Sequence, residues 1–202
     1  MTIYLLPGVG CDHRLYDRIE LPVTCSAVKL DWPVFAEDDT LPAIAARLRA
    51  QVNADEPHIL VGVSMGGMVA LELAALTAPE KVVLISSWTG PQEWTPFVRM
   101  SAAIGLHRVV RDGSMNAVRP LKRWLQGRDG ETDDLLWDMA CAQTATQIRR
   151  GLAAIFRWKG SPWHGPLVRI HGDRDVVTPL RFPVDHRVAA GEHAGHLAPV
   201  LE

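Results

Sequence analysis

Short apolar runs without polar alternation recur along the chain, and each is followed by a turn or by residues at helical spacing. Such runs read as strands buried on both faces, because a strand open to water on one side alternates. Thr2–Leu6 is the first; Pro7-Gly8-Val9-Gly10 and a short polar helix around Asp12–Ile19 follow it. Ser26–Leu30 reads as the second and is closed by Asp31-Trp32-Pro33. Thr40 then stands as an N-cap with Pro42 in the first turn, and Ile44, Leu48 and Val52 repeat at fours, which predicts an amphipathic helix. His58–Val63 is the next buried run, and Met68, Leu71, Leu73, Ala75 and Leu76 carry a helix directly after it. Lys81–Ser86 is another strand of the same kind.

From Ser87 to Pro162 the strand signals vanish. Helical stretches take their place around Thr95–Leu106, Ser114–Gln126, Glu131–Gln143 and Ala145–Trp158. Trp94, Trp124, Trp137 and Trp158 lie within this region, with Trp88 and Trp163 at its edges. Strand character returns at Leu167–His171 and over roughly His186–Ala190. Strands alternating with helices predict an α/β fold: a mainly parallel sheet of about six strands with helices on both faces. The expected organisation is one domain over 1–202, with 88–162 as a helical lid inserted after the fourth strand.

Composition narrows the function classes. With 202 residues, 48% hydrophobic and 22% charged, the chain is one ordinary domain with enough length for a sizeable core. Its net charge is −2 and its arginines are scattered, with no basic stripe interleaved with aromatics, so no nucleic-acid partner is expected. No apolar run reaches membrane-spanning length, and MTIYLLPGVG reads as strand and turn rather than a signal segment. The cysteines Cys11, Cys25 and Cys141 are odd in number and widely spaced, which points to reduced thiols in a cytoplasmic protein.

The candidate chemistry centres on Gly62-Val63-Ser64-Met65-Gly66, with Gly67 following, set between a buried strand and a helix. The pentapeptide alone should arise by chance in roughly one chain of this length in fifteen at ordinary Gly and Ser frequencies. Its place between strand and helix is what makes it a nucleophile elbow. Ser64 would occupy strained backbone, and the residues two before and two after it must lack side chains, as Gly62 and Gly66 do. The helix beginning at Met65 would aim unpaired N–H groups and its positive end at a developing oxyanion. A serine hydroxyl needs a base, and the base needs an acid to orient it. Loops at the carboxyl ends of parallel strands converge, and two residues in such loops follow in the order required: Asp175, four residues past His171, and His196, after the last strand. Asp173 and His193 compete with them as a turn aspartate and a loop histidine, and His171 reads as structural. Cys11, near the first turn, reads as an idle thiol rather than a reactive one, and the lid tryptophans as packing, with one or two of them lining an acyl pocket. No metal-ligand spacing such as H-E-x-x-H occurs.

Taken together, these residues resemble a small α/β-hydrolase over nearly the whole chain. The family's elbow is matched by GVSMGG, and its post-strand HG-x-x-D-x-x-x-P motif by His171 to Pro179, which makes Asp175 the implied triad acid. The family's late histidine is matched at His196 within HAGHLAP. The resemblance also implies two oxyanion donors, the amides of Val9, after Pro7-Gly8, and of Met65, after the nucleophile. The chain departs from the pattern in opening directly on the oxyanion strand, in ending shortly after His196, and in carrying Val63 and Pro7 where other residues are common. A reduced sheet of this kind leaves an edge that dimerisation could cover. The implied activity is a serine hydrolase with no cofactor and no metal, cleaving a small hydrophobic ester. Thioester or carbon–carbon hydrolysis, or ligand binding without catalysis, are the alternatives on the same scaffold.

Overall fold

The computed structural model describes residues 1–111, 131–173, 175, 178 and 182–188. Strands β1 (Thr2–Leu6), β2 (Ser26–Lys29), β3 (His58–Val63), β4 (Lys81–Ile85), β5 (Leu167–Gly172) and β6 (His186–Val188) form one sheet in the order β2-β1-β3-β4-β5-β6. Every pairing is parallel. The register sets Leu6 beside Gly62, Val63 beside Ile85, and Ile85 beside Ile170. The chain therefore leaves β1, β3, β4 and β5 at one end of the sheet, where the described candidates Val9, Ser64, Met65 and Asp175 follow those strands.

Alternation along the strands sorts their side chains onto two faces. Tyr4, Leu6, Leu60, Val82 and Leu84 share one core with helices α1 (Leu41–Leu48) and α2 (Met65–Thr77). Ile3, Leu5, Ile59, Val61, Val83 and Ile170 point the other way. Among the described residues that second face is covered by Tyr16 with Leu15, Ile19 and Leu21. The helix expected over Asp12–Ile19 is shorter than its sequence suggests: one 3-10 turn, His13–Tyr16, capped by the Asp12 carboxylate accepting the Arg14 N–H. β2 is an exposed edge strand, and its Lys29 ammonium reaches Asp17 at 2.7 Å.

Local chemistry explains the helix ends. The Thr40 hydroxyl accepts the Ala43 N–H, Pro42 sits in the first turn, and α1 buries Leu41, Ile44, Ala45 and Leu48. α2 is buried on nearly every side, since α1 packs against it across from the sheet. Three α-helices occur between β4 and β5 among the described residues: α3 (Pro96–Ala103), α4 (Glu131–Ala142) and α5 (Ala145–Arg157). α3 stops short of the expected Leu106 because Gly105 turns left-handed at φ 67°. The stretch expected as a helix over Ser114–Gln126 lies outside the described residues, as do His193 and His196.

α5 is bound firmly to the rest of the molecule. Its Gln147 amide donates to Pro33 O at 2.8 Å and accepts the Phe35 N–H at 3.0 Å. Arg150 donates to Phe35 O and Arg157 to Glu37 O. Just past its end, the Trp158 indole donates to the buried Glu72 carboxylate of α2 at 2.6 Å.

Candidate active site

Ser64 alone makes the turn between β3 and α2, with φ 52° and ψ −119°. A non-glycine residue there costs on the order of 1–3 kcal/mol, which the surrounding structure must offset. The Ser64 N–H donates to Ile85 O at 3.0 Å. Its carbonyl accepts the Ser87 hydroxyl at 2.7 Å and the Gly67 N–H at 3.0 Å. The flanking glycines are required by contact: a Cβ on Gly62 would fall on the Gly66 backbone, and one on Gly66 would lie 2.7 Å from the Leu6 carbonyl carbon.

The Pro7–Val9 turn lies directly against this elbow, since a Cβ on Gly8 would sit 3.7 Å from Ser64 Cβ. Among the described residues, neither the Val9 N–H nor the Met65 N–H donates a hydrogen bond. Both belong to well-packed residues: Met65 is fully buried and Val9 packs against the same core. Two unpaired amides leave two donors free beside the elbow. One of them opens α2, where the positive end of the helix dipole adds to the field. α5 lies over the pair, so that a Cβ on Gly151 would be 2.8 Å from Val9 Cγ2 and 3.5 Å from Met65 Sδ.

Asp175 follows β5, its side chain 16% exposed. One carboxylate oxygen accepts the Thr178 N–H at 2.8 Å and the other the Thr178 hydroxyl at 2.6 Å. Buried His171 supports the same loop, its Nε2 donating to the Thr178 carbonyl. Asp173 is exposed, and its backbone N–H donates to Val188 O. Of the two aspartates weighed from the sequence, Asp175 is the one whose carboxylate is held in place.

A model of the alpha/beta hydrolase family matches residues 3–202. The chain belongs to that family. The pimeloyl-[acyl-carrier protein] methyl ester esterase of Neisseria meningitidis serogroup C is 28% identical to it over 201 residues, covering 89% of this chain and 77% of that protein. A thermophilic esterase from Thermogutta terrifontis, with malate bound, has TM-score 0.70 at 16% identity, covering 94% of this chain and 81% of its own. The RedJ thioesterase from the prodiginine biosynthetic pathway of Streptomyces coelicolor has TM-score 0.63 at 17% identity, covering 94% and 80%. The two solved structures establish the fold.

Several groups around this hydrolase's site carry no individual mark in the sequence. Trp32 donates its indole N–H to Gly8 O at 3.0 Å, and Ser87 its hydroxyl to Ser64 O. Thr178 stands three residues after Asp175, the spacing of a local side-chain-to-backbone turn, and that spacing was the available signal. Beneath the Asp175 loop, Arg169 of β5 pairs with Glu93 at 2.7 Å and lies over the Phe182 ring at 3.7 Å, while Phe182 also meets the His171 ring edge-on. Burial, and then the Asp12 carboxylate, push the Cys11 thiol up to about 11, in keeping with an idle cysteine. Trp88, Trp94 and Trp158 are buried in the main core, where Trp158 also bonds Glu72. A cavity of about 420 Å³ is lined by Gln92, Glu93, Trp94, Pro96, Arg99 and Phe182, and none of Ser64, Val9, Met65 or Asp175 borders it.

Proposed function

We propose that this hydrolase cleaves a carboxylic ester through an acyl-enzyme on Ser64, with His196 as base and Asp175 as its orienting acid. The observation that carries the reading is the pairing of a strained serine with two unpaired amides, those of Val9 and Met65, at one end of the sheet. β3 and β5 lie either side of β4, a span of about 10 Å at ordinary strand spacing. An imidazole making one hydrogen bond of about 2.8 Å at each nitrogen suits that gap.

In this scheme Ser64 Oγ attacks the ester carbonyl while His196 takes its proton, and the oxyanion is held by the Val9 and Met65 amides. His196 then protonates the departing alkoxide, leaving the acyl group on Ser64. Water, deprotonated by the same imidazole, releases the carboxylic acid and restores the serine. The helices between β4 and β5 act as a lid over the substrate. An esterase among the curated relatives, acting by its name on a methyl ester, supports a substrate with a small alcohol leaving group.

The test is turnover of p-nitrophenyl esters of rising acyl length, with acyl thioesters run beside them. Ser64→Ala should lose about three to six orders of magnitude in rate. Near-normal ester turnover by that variant excludes the mechanism, and a uniform preference for thioesters moves the substrate class.

A further inference from the structure

A trans peptide holds its C=O and N–H antiparallel in one plane. A donor that grips the carbonyl therefore fixes the direction of the N–H on the opposite side. The amides assigned to the oxyanion belong to the peptides Gly8–Val9 and Ser64–Met65, and both carbonyls are gripped. Gly8 O accepts the Trp32 indole N–H at 3.0 Å and the Cys11 N–H at 3.1 Å. Ser64 O accepts the Ser87 hydroxyl at 2.7 Å, with the Gly67 and Met68 N–H groups at 3.0 and 3.4 Å. We infer that Trp32 and Ser87 are positioning residues that aim the two oxyanion amides from behind, an inference that rests on the acyl-transfer reading of Ser64.

The bond also polarises the peptide. Hydrogen bonding at a carbonyl strengthens the donor at the other end of the same unit, by about 10–30% per bond. The two grips are unequal in consequence. Ser64–Met65 is already held by the first turn of α2, whereas Gly8–Val9 lies in a turn whose next residue, Gly10, is at φ 77°. Trp32 thus has more to hold than Ser87.

Trp32 is itself anchored from several sides. The neighbouring Asp31 carboxylate accepts the His13 N–H at 2.9 Å. Gln147 of α5 clamps Pro33 and Phe35, and the Trp32 and Phe35 rings meet at 5.7 Å. The same helix packs Gly151 against Val9 and Met65, so the turn is held by packing as well as by the indole. An indole in this protein is not bonded by default: among the described residues, Trp88, Trp94 and Trp163 bury Nε1 with no partner. The Trp32 bond is therefore a specific feature of the oxyanion turn.

Trp32→Phe and Ser87→Ala, made in the full chain, test the inference by steady-state kinetics on the best p-nitrophenyl ester. An arylboronic acid serves as a tetrahedral adduct, and the product acid as a planar ligand. Losing one neutral hydrogen bond behind a donor should lower kcat about tenfold for Trp32→Phe and about threefold for Ser87→Ala, with KM within about twofold. Boronate affinity should fall by the same factors and product-acid affinity should not. If Trp32→Phe fails to fold, replacing the indole with isosteric benzothiophene removes the N–H alone. Unchanged kcat for Trp32→Phe, or parallel losses of boronate and product-acid affinity, overturns the inference by making Trp32 a packing residue. Fluorophosphonate labelling of the parent separates the two levels: with Ser64 labelled, such a result sinks the positioning role alone, and with Ser64 unlabelled the acyl-transfer reading falls first.

Discussion

Replacing Gly66 with alanine places one methyl group in the seam between α2 and the end of β1. The added carbon would lie 2.7 Å from the Leu6 carbonyl carbon and closer still to the Leu6 and Pro7 carbonyl oxygens. Unstrained carbon contacts need about 3.5–4.0 Å, so something must move by about 1 Å. Every group it meets is backbone, and no rotamer change relieves it. Overpacking of this kind costs about 3 kcal/mol, the upper end of the usual range, and the better helix propensity of alanine returns about 1 kcal/mol. The net loss of about 2 kcal/mol should lower Tm by about 4–8 °C in a chain of this size. The effect on rate should be larger, because the displaced backbone leads directly into Pro7-Gly8-Val9. A misplacement of about 1 Å at a catalytic group costs on the order of 100-fold. Differential scanning fluorimetry with ester kinetics measures both. Gly172→Ala is the control: among the described residues its Cβ meets nothing within 4 Å, and both readouts should stay near those of the parent. Parent-like Tm and turnover in Gly66→Ala would refute a role for this seam in setting the proposed oxyanion turn.

Further outcomes follow from the same structure. Ester turnover should rise across about pH 6 to 7 as His196 becomes neutral, and a flat profile from pH 5 to 8 with acylation rate-limiting counts against that base. Burial alone would raise Glu93, but Arg169 and Thr89 outweigh it and hold the carboxyl below its ordinary 4.5. A carboxylate depressed in the fold stabilises above its unfolded pKa and loses that contribution as pH falls through the folded value. Glu93→Gln should therefore have a lower Tm than the parent at pH 7, with the gap closing below about pH 4.5; a constant gap down to pH 3 contradicts this. With the Cys11 thiol pushed up to about 11, iodoacetamide at pH 7.5 should modify exposed Cys141 first, as peptide mass mapping will show. Preferential modification of Cys11 goes against the burial argument.

The fold was legible where burial left the composition unambiguous. Strands such as Thr2–Leu6 and His58–Val63 lie inside the sheet, so apolar runs bounded by Pro, Gly or Ser mark them to the residue. The elbow was legible for a different reason, since backbone contact at Gly62 and Gly66 leaves no room for any other residue. Helix ends were harder: the turn at His13–Tyr16 and the early stop at Ala103 depend on local hydrogen bonds and a left-handed glycine rather than on periodicity. The supports around the site were not legible. Gln147 reaches Phe35 across 112 residues and Arg169 reaches Glu93 across 76, distances at which pattern and propensity say nothing about contact. The Trp32 indole gives no sign in the sequence that its N–H will find Gly8. Buried Glu72 appears in the sequence as one polar residue in an apolar helix, and only the fold supplies its Trp158 partner.

In the proposed chemistry the side chain at 64 becomes a covalent acyl carrier activated by residues 175 and 196. Peptide-mapped labelling with a fluorophosphonate tests it most directly, in the parent and in His196→Ala and Asp175→Asn. A single adduct on the peptide carrying Ser64 is expected, formed at least about 100-fold more slowly in either variant. An adduct on another residue, or equal labelling rates in all three proteins, would contradict it.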